Sequence, residues 1–362
     1  MNILHTVESY YPEVSGMAEA VRQISEELVR LGHNVTIATG EIPERKKKII
    51  NGVHIVEFNN PQKYQNYLKN SSFDIMTNFA AQQWATDLAL PILSRIKAKK
   101  VLVPTGFSKL NFPFYRNYFN KMKNYMKQYD MNIFHSKNYR DINFARKNNI
   151  RNIKIIPNGA SKKEFLGKNV INIRKKLNIP DDHFLVLNVS SHTGLKGHFE
   201  TIRIFCKARL KKSTLLMIGK HTKSLSSCYW QCRLLKLLSG KNILIKDLNR
   251  EQTVAAFKTA NVFLFTSLVE CSPLVLYESL AANTPFLTTD AGNTKEIIKW
   301  TGGGKLIPSD TKKSAAILKK YYQNPQKLTV MGKTGHKAWL KRFTWEKIAR
   351  EYETLYQSLI HD

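Results

Sequence analysis

The sequence of residues 262–282 is VFLFTSLVECSPLVLYESLAA, and the fold follows from it. Its first four residues, 262–265, are apolar and rich in aromatic side chains, which is typical of a strand buried in a parallel sheet. Ser272 is a favoured N-cap and Pro273 a favoured first helical residue, so we expect a helix that begins directly after this strand. Since the free amides at a helix start bind anions, the stretch predicts a site for an anion such as a diphosphate.

Two acidic residues accompany this helix start. Glu278 lies among apolar residues of the predicted helix, and a buried carboxylate is costly unless it meets a hydrogen-bond donor. The two hydroxyl groups of a ribose would supply such donors, and a salt bridge inside the core is the alternative. Glu270, on the loop before the helix, is placed to contact a second polyol, or else is a solvated loop charge.

Short apolar runs separated by helical stretches continue in both directions from this segment. In the second half of the chain they predict strands at 184–189, 215–218, 243–246, 262–265 and 285–288. In the first half they predict strands at 2–7, 35–39, 55–58, 75–77, 101–104, 133–135 and 153–156. Alternation of strand and helix is typical of βαβ units, so we expect two α/β domains with a hinge near 160–180.

Length and composition agree with two globular domains. The chain has 362 residues, of which 43% are hydrophobic and 23% charged, so a disordered or fibrous protein is excluded. Cys228 and Cys232 have no second pair at metal-ligand spacing, and four cysteines do not form a disulfide framework. The N-terminus lacks the basic region of a signal peptide, and no apolar run is long enough to span a membrane. We therefore expect a cytoplasmic protein.

The net charge of +30, from 57 basic and 27 acidic residues, predicts attraction to a polyanion. Residues 61–160 alone hold 17 basic and 4 acidic residues. An anionic membrane leaflet and a nucleic acid are both possible partners, and a compositional bias of the genome is the third explanation. Because no nucleic-acid-binding module is recognisable, nucleic acid is the less favoured partner.

An amphipathic helix is predicted at 114–129. At about 100° per residue its apolar and aromatic side chains share one face, namely Phe114, Tyr115, Tyr118, Phe119, Met122, Tyr125, Met126 and Tyr129. Arg116, Lys123 and Lys127 lie opposite. Such a helix either lies on a membrane surface or packs on the sheet with its lysines in water.

The E-x7-E spacing of Glu270 and Glu278 after a buried strand resembles the retaining glycosyltransferases of family 4. Further motifs follow that family's order and spacing: Tyr11-Pro12 to Gly16, Gly32-His33-Asn-Val35, Ile156-Pro-Asn158-Gly159, Lys196-Gly197-His198, Thr284-Pro285 and Phe343-Thr-Trp345-Glu346. The resemblance thus extends along the chain.

This resemblance implies the GT-B fold, in which two Rossmann-like domains face each other across a cleft. Residues 1–160 would bind the acceptor, with the C-terminal helix 344–362 crossing back to them, and 161–343 would bind the nucleotide-sugar. Residues implied to bind the nucleotide-sugar are Gly16, Ser191, Lys196, Glu270, Ser272, Pro273, Leu274 and Glu278.

Roles for the individual side chains come from the same resemblance. Lys196 would neutralise the departing diphosphate and Glu270 would contact hydroxyl groups of the donor sugar, so these two are the catalytic candidates. Glu278 would hold the ribose, and Gly16 would let the backbone of the first domain approach the phosphates. No cofactor and no metal are implied, and His198 is expected to stabilise the Lys196 loop.

Three departures from the family pattern concern the donor site. Ser191 occupies the position where the family usually has an arginine, so one positive charge on the diphosphate is missing or is supplied elsewhere, for instance by Arg203 or Lys220. Ser15-Gly16 replaces a pair of glycines that many members carry. The segment 104–107 lacks a histidine that is common there.

The resemblance therefore predicts a retaining, metal-independent glycosyltransferase of hexosyltransferase type. It would move a sugar from a UDP- or GDP-sugar to a glycan or lipid-linked acceptor at the inner leaflet, in surface polysaccharide, lipopolysaccharide or other glycolipid synthesis. Front-face attack, with the leaving diphosphate taking the acceptor proton, is the implied mechanism. A catalytically silent GT-B protein that binds nucleotide-sugar or anionic lipid as an assembly partner is one alternative, and a sugar-nucleotide epimerase is another.

Overall fold

The computed structural model describes residues 1–13, 15–168, 171–220 and 228–361, which form two compact units. Unit 1 comprises Met1–Asn158 and Trp345–Asp362, and unit 2 comprises Gly159–Thr344. Val14, in the predicted loop between Tyr11 and Gly16, lies outside the described residues, as does Asp362. Each unit contains a largely parallel sheet, so the predicted α/β class with two domains is confirmed.

Unit 1 contains an eight-stranded sheet. Its strands are β1 (Asn2–Thr6), β2 (Asn34–Gly40), β3 (Ile49–Ile50), β4 (Val53–Phe58), β5 (Ile75–Phe79), β6 (Lys99–Val103), β7 (Met131–Phe134) and β8 (Ile153–Ile155). They lie in the order β3-β4-β2-β1-β5-β6-β7-β8, and only β3 is antiparallel to its neighbour. The α-helices between them are α1 (Gly16–Arg30), α2 (Pro61–Asn70), α3 (Trp84–Asp87), α4 (Arg116–Gln128) and α5 (Arg140–Lys147).

Unit 2 contains a six-stranded, fully parallel sheet in the order β11-β10-β9-β12-β13-β14. The strands are β9 (Phe184–Val189), β10 (Ser213–Ile218), β11 (Ile243–Lys246), β12 (Val262–Phe265), β13 (Phe286–Thr288) and β14 (Gly304–Leu306). The helices are α6 (Lys162–Leu166), α7 (Ile173–Lys176), α8 (His198–Ala208), α9 (Tyr229–Ser239), α10 (Arg250–Thr259), α11 (Leu274–Ala281), α12 (Thr294–Thr301), α13 (Thr311–Tyr322) and α14 (Pro325–Arg342). The carboxyl ends of all six strands therefore share one edge of the sheet.

The last helix, α15 (Trp345–His361), returns to unit 1 and packs against α1. Its Tyr356 is fully buried, with the hydroxyl 2.6 Å from Thr77 Oγ1 and 3.2 Å from His5 Nε2. The other ring nitrogen of His5 lies 2.8 Å from Ser25 Oγ on α1. This buried polar chain fastens α15 to the first strand of the protein.

The amphipathic segment at 114–129 mostly packs on the core of unit 1. Helix α4 begins only at Arg116, and its Phe119, Met122 and Met126 are buried, as the packing alternative requires. Phe114, in contrast, lies in a 3₁₀ turn and is 92% exposed. None of the described helices has both the length and the hydropathy needed to cross a bilayer.

Candidate functional site

Three loops follow strands at the carboxyl edge of the unit 2 sheet. We call them the β9 loop (residues 190–197), the β12 loop (266–273) and the β13 loop (289–293). Hydrogen bonds join them: Leu268 N to Leu195 O at 3.0 Å, Thr289 Oγ1 to Ser267 O at 3.0 Å, and Asn293 N to Cys271 O at 2.9 Å. Ligands of open α/β sheets bind at such an edge, so the loops form the candidate site.

The two predicted catalytic residues meet between the β9 and β12 loops. Lys196 Nζ lies 2.7 Å from Glu270 Oε1, and their side chains are 26% and 13% exposed. An ammonium group has three N–H donors, so Lys196 has the capacity to contact an anion while it remains bonded to Glu270. The pair places one positive and one negative group at the accessible face of the loops.

A close backbone approach fixes the position of Lys196. The next residue, Gly197, has φ +67°, and a Cβ atom there would lie only 1.8 Å from Thr266 O. Thr266 in turn donates from Oγ1 to Gly197 O at 2.6 Å. Glycine is therefore required at 197, because no other side chain fits against the β12 loop.

Helix α11 begins one residue later than the sequence predicts. Pro273 is its N-cap, with extended backbone at ψ 117°, and Leu274 is its first residue. Ser272 is not the cap, because its Oγ instead accepts a hydrogen bond from Asn293 Nδ2 at 3.1 Å. The amides of Leu274 and Val275 belong to the first turn and have no carbonyl partner within the helix, which preserves the predicted anion-binding helix start.

Glu278 binds a cation of its own unit. Its Oε1 accepts a hydrogen bond from Arg250 Nη1 at 2.5 Å, and Arg250 Nη2 also lies 2.7 Å from Glu164 Oε2. The Glu278 side chain is only 7% exposed, whereas that of Arg250 is 40% exposed. Arg250 is a donor of the kind that a buried Glu278 was expected to need, in agreement with the salt-bridge alternative. A role of Glu278 in holding ribose stays a prediction.

Sequence reasoning missed Arg250, although a signal was present. Arg250 is the first residue of α10, directly after the N-cap Asn249, whose capping box is completed by Gln252. This places a guanidinium four residues beyond the end of β11, at the same edge of the sheet as the three loops. A basic residue at the start of a helix that follows a parallel strand is the pattern to look for.

Two further residues were predicted to contact the donor phosphates, and they belong to different units. Ser191 lies half-buried in the β9 loop, where its carbonyl accepts from Thr193 N at 2.8 Å. Gly16 is the first residue of α1 in unit 1, after the N-cap Ser15. Contact of these two residues with a phosphate stays a prediction.

Residues of the β9 loop and of α9 together form a group that is able to bind a metal. His192, Cys228 and Cys232 are buried, and one ligand atom of each lies within 4.8 Å of the others. His198 adjoins them, with Nδ1 3.4 Å from Cys228 Sγ. Burial lowers the pKa of His198 to about 4 and raises that of the Cys232 thiol. The spacing of Cys228 and Cys232 did not reveal this cluster, because its histidines come from a distant loop.

Comparison with known proteins shows similarity to glycosyltransferases. Residues 169–338 match the protein family described as "Glycosyl transferases group 1". N-acetyl-alpha-D-glucosaminyl L-malate synthase of Bacillus anthracis is 22% identical over 379 residues, which cover 97% of this chain and 96% of that protein.

Solved structures share the fold over nearly the whole chain. Sucrose-phosphate synthase from Thermosynechococcus elongatus superposes with a TM-score of 0.83 at 17% identity, covering 99% of each chain. Anabaena Alr3699/HepE in complex with UDP and glucose gives a TM-score of 0.80 at 14% identity, covering 99% of this chain and 100% of that one. The predicted GT-B fold class is thereby confirmed.

Proposed function

We propose that the chain, which matches the glycosyl transferases group 1 model at residues 169–338, is a retaining, metal-independent family 4 glycosyltransferase of hexosyltransferase type. Its donor is a UDP- or GDP-sugar, and its acceptor is a membrane-associated glycan or lipid-linked sugar of surface polysaccharide, lipopolysaccharide or other glycolipid synthesis. The observation that carries this proposal is the Lys196–Glu270 pair, held at 2.7 Å where the β9 and β12 loops meet.

The donor diphosphate binds at the start of α11. The amides of Leu274 and Val275 and the ammonium of Lys196 supply positive charge without a metal ion. Glu270 accepts hydrogen bonds from hydroxyl groups of the donor sugar, which orients the anomeric carbon. Glu278, although bonded to Arg250, also accepts a hydrogen bond from the ribose, because each carboxylate oxygen can accept more than one.

Transfer breaks the bond between the anomeric carbon and the diphosphate oxygen. The acceptor hydroxyl attacks from the same face, and its proton passes to the leaving diphosphate oxygen, so the anomeric configuration is retained. Lys196 stabilises the negative charge that develops on the diphosphate, which is the step at which a fixed cation accelerates the reaction most. The family resemblance supports this mechanism.

A UDP-sugar is the first donor to test, since the HepE structure that shares this fold holds UDP and glucose. Purified protein is incubated with a panel of UDP- and GDP-sugars, and release of free sugar or nucleoside diphosphate is measured. We expect one donor to be turned over and Glu270→Gln to lose this activity. Glu251→Gln, an exposed residue of α10, is the control and should retain activity. Comparison of UDP with GDP in thermal shift identifies the nucleotide independently.

Peripheral attachment to the inner, anionic leaflet is part of the proposal. The chain carries a net charge of +30, and exposed apolar residues accompany it in both units. In unit 1, Phe112 and Phe114 are 61% and 92% exposed. In unit 2, helix α9 exposes Trp230, Leu237 and Leu238 by 64%, 79% and 73%. Apolar side chains beside lysines and arginines are typical of surfaces that lie on anionic lipid.

A catalytically silent nucleotide-sugar or lipid binder is the second candidate. Ser191 stands where family members usually have an arginine, and Glu278 is already bonded to Arg250. Nucleotide-sugar binding without hydrolysis or transfer, over the full donor panel and with membrane extracts as acceptor, would support this candidate and contradict the enzyme.

A further inference from the structure

Four buried nitrogen- and sulfur-bearing side chains meet between the β9 loop and α9. His192, His198, Cys228 and Cys232 are 0%, 2%, 4% and 0% exposed. Cys228 is the N-cap of α9 and Cys232 lies one turn further, so both face the same side of the helix. The adjoining core is apolar, and the Tyr229 ring lies 5.3 Å from the His192 ring.

The separations of His192, Cys228 and Cys232 agree with ligands around one zinc ion. A tetrahedral zinc with bonds of about 2.3 Å to sulfur and about 2.0 Å to nitrogen places the two ligand types about 3.5 Å apart. Cys228 Sγ lies 3.6 Å from His192 Nδ1 and 3.4 Å from His198 Nδ1. Cys232 belongs to the same cluster, since His192, Cys228 and Cys232 offer ligand atoms within 4.8 Å of one another.

The hydrogen bonds of His198 fix its ring beside the cluster. Its Nε2 lies 3.0 Å from Ser190 Oγ and 3.3 Å from Ser190 O. Because a carbonyl oxygen only accepts, it assigns the ring proton to Nε2 and turns the lone pair of Nδ1 toward Cys228. The His192 ring stacks on the His198 ring with 4.2 Å between the ring centroids, so His198 supports the position of the ligand His192.

We infer that His192, Cys228 and Cys232 bind a structural zinc ion that fastens the β9 loop to α9. Thiolates and imidazoles are the ligands that zinc prefers. The thiols release two protons when the ion binds. Lys196 lies on the same loop but contributes no ligand, so the ion steadies this loop and does not act on the donor sugar. The inference does not depend on the proposed transfer reaction.

Metal content and cobalt spectra test the inference directly. Protein purified with and without added Zn²⁺ is desalted and its metal measured by mass spectrometry, where we expect about one zinc ion per chain. Apo protein titrated with Co²⁺ should develop a thiolate-to-cobalt charge-transfer band and intense visible bands of tetrahedral geometry. Cys228→Ser and Cys232→Ser should weaken cobalt binding by about tenfold or more, with loss of the charge-transfer intensity. Cys206→Ser, which changes a cysteine of α8 outside the cluster, should leave both unchanged.

Three results would overturn the inference. The first is a cobalt titration of wild-type protein without a thiolate band, and it remains decisive even if the serine variants do not fold. The second is equal metal binding by wild type, Cys228→Ser and Cys232→Ser. The third is a Cys228–Cys232 disulfide, found by peptide mapping of protein prepared under reducing conditions and then exposed to Zn²⁺. A melting temperature that rises with Zn²⁺ in wild type and Cys206→Ser, but not in Cys232→Ser, would support it.

Discussion

Lys196 and Glu270 are hydrogen-bonded at 2.7 Å although they are 74 positions apart in the sequence. Their contact depends on the order of the strands, because β9 and β12 are neighbours in the unit 2 sheet and present their following loops side by side. The site therefore depends on the sheet topology. A substitution in either loop should alter the positions of both side chains.

Lys196→Met should lower kcat by about 100-fold, because it removes the cation that stabilises the leaving diphosphate. We expect KM for the donor to change less than kcat, since the charge on the diphosphate grows in the transition state. Steady-state kinetics with the donor identified from the panel provide the measurement. Lys175→Met, an exposed residue of α7, serves as the control. Equal kcat values for the two variants would contradict the assigned role of Lys196.

Gly197→Ala should disrupt the site more than the same substitution at Gly240. Both glycines have positive φ, +67° and +61°, so the conformational strain is similar. A Cβ atom at 197 would lie 1.8 Å from Thr266 O, whereas nothing lies within 4 Å of one at 240. We expect Gly240→Ala to cost about 1 kcal/mol and Gly197→Ala about 3 kcal/mol or more in the free energy of unfolding. Urea denaturation measures both, and equal losses would show that the close approach is absent in solution.

Arg250→Ala and Glu278→Gln separate a structural role from a ligand-binding role. Arg250→Ala removes the 2.5 Å bond to Glu278 and should lower the free energy of unfolding by about 1–2 kcal/mol, a value reduced by the exposure of the arginine. Glu278→Gln weakens a charged acceptor and should reduce nucleoside diphosphate affinity by about tenfold. Thermal shift and calorimetric titration are the measurements. Unchanged affinity in Glu278→Gln would restrict Glu278 to its contact with Arg250.

His5 should make unit 1 sensitive to acid. Burial lowers its pKa from 6.5 to about 3, so the unfolded chain binds a proton at His5 before the folded chain does. The contribution of neutral His5 to the free energy of unfolding is fully present above pH 6.5. It is lost as the pH falls toward 3, by up to about 4 kcal/mol. His5→Gln should flatten this dependence in urea denaturation between pH 7 and pH 4. His54→Gln, on the exposed side of β4, should not, and equal slopes for all three proteins would contradict the prediction.

Vesicle sedimentation tests the two exposed apolar patches. We expect binding to anionic vesicles that weakens as NaCl rises from about 0.1 M to about 1 M, where the screening length falls from about 10 Å to about 3 Å. Replacing Phe112 and Phe114, or Trp230 and Leu237, by serine should weaken binding further. Val330→Ser, at a residue of α14 that is 65% exposed, is the control. Equal binding to neutral vesicles would contradict an anionic partner.

The buried strands were predictable because their sequence signal is local. Phe184–Val189 and Val262–Phe265 match the predicted runs residue for residue, since a strand covered on both faces is largely apolar. Two strands were missed. Ile49–Ile50 has only two residues, and Gly304–Leu306 begins with glycine, which is depleted in strands.

The candidate site was predictable in its residue types but not in its partners. Glu270 and Lys196 were both expected to contact the donor, yet their direct contact with each other could not be inferred from their spacing in the sequence. Ser272 satisfies the N-cap preference, but Asn293 from another loop competes for its hydroxyl, and the helix begins at Leu274. Contacts between distant segments depend on the strand order, which local sequence patterns do not contain.

Helix α15 has a consequence for how the protein is made. Tyr352 and Tyr356 of this helix are fully buried in unit 1, beside strands from the beginning of the chain. Residues 345–361 must therefore leave the ribosome before unit 1 can close its core, whereas all segments of unit 2 are made earlier. A stop codon introduced at residue 345 should leave unit 1, and not unit 2, open to proteases.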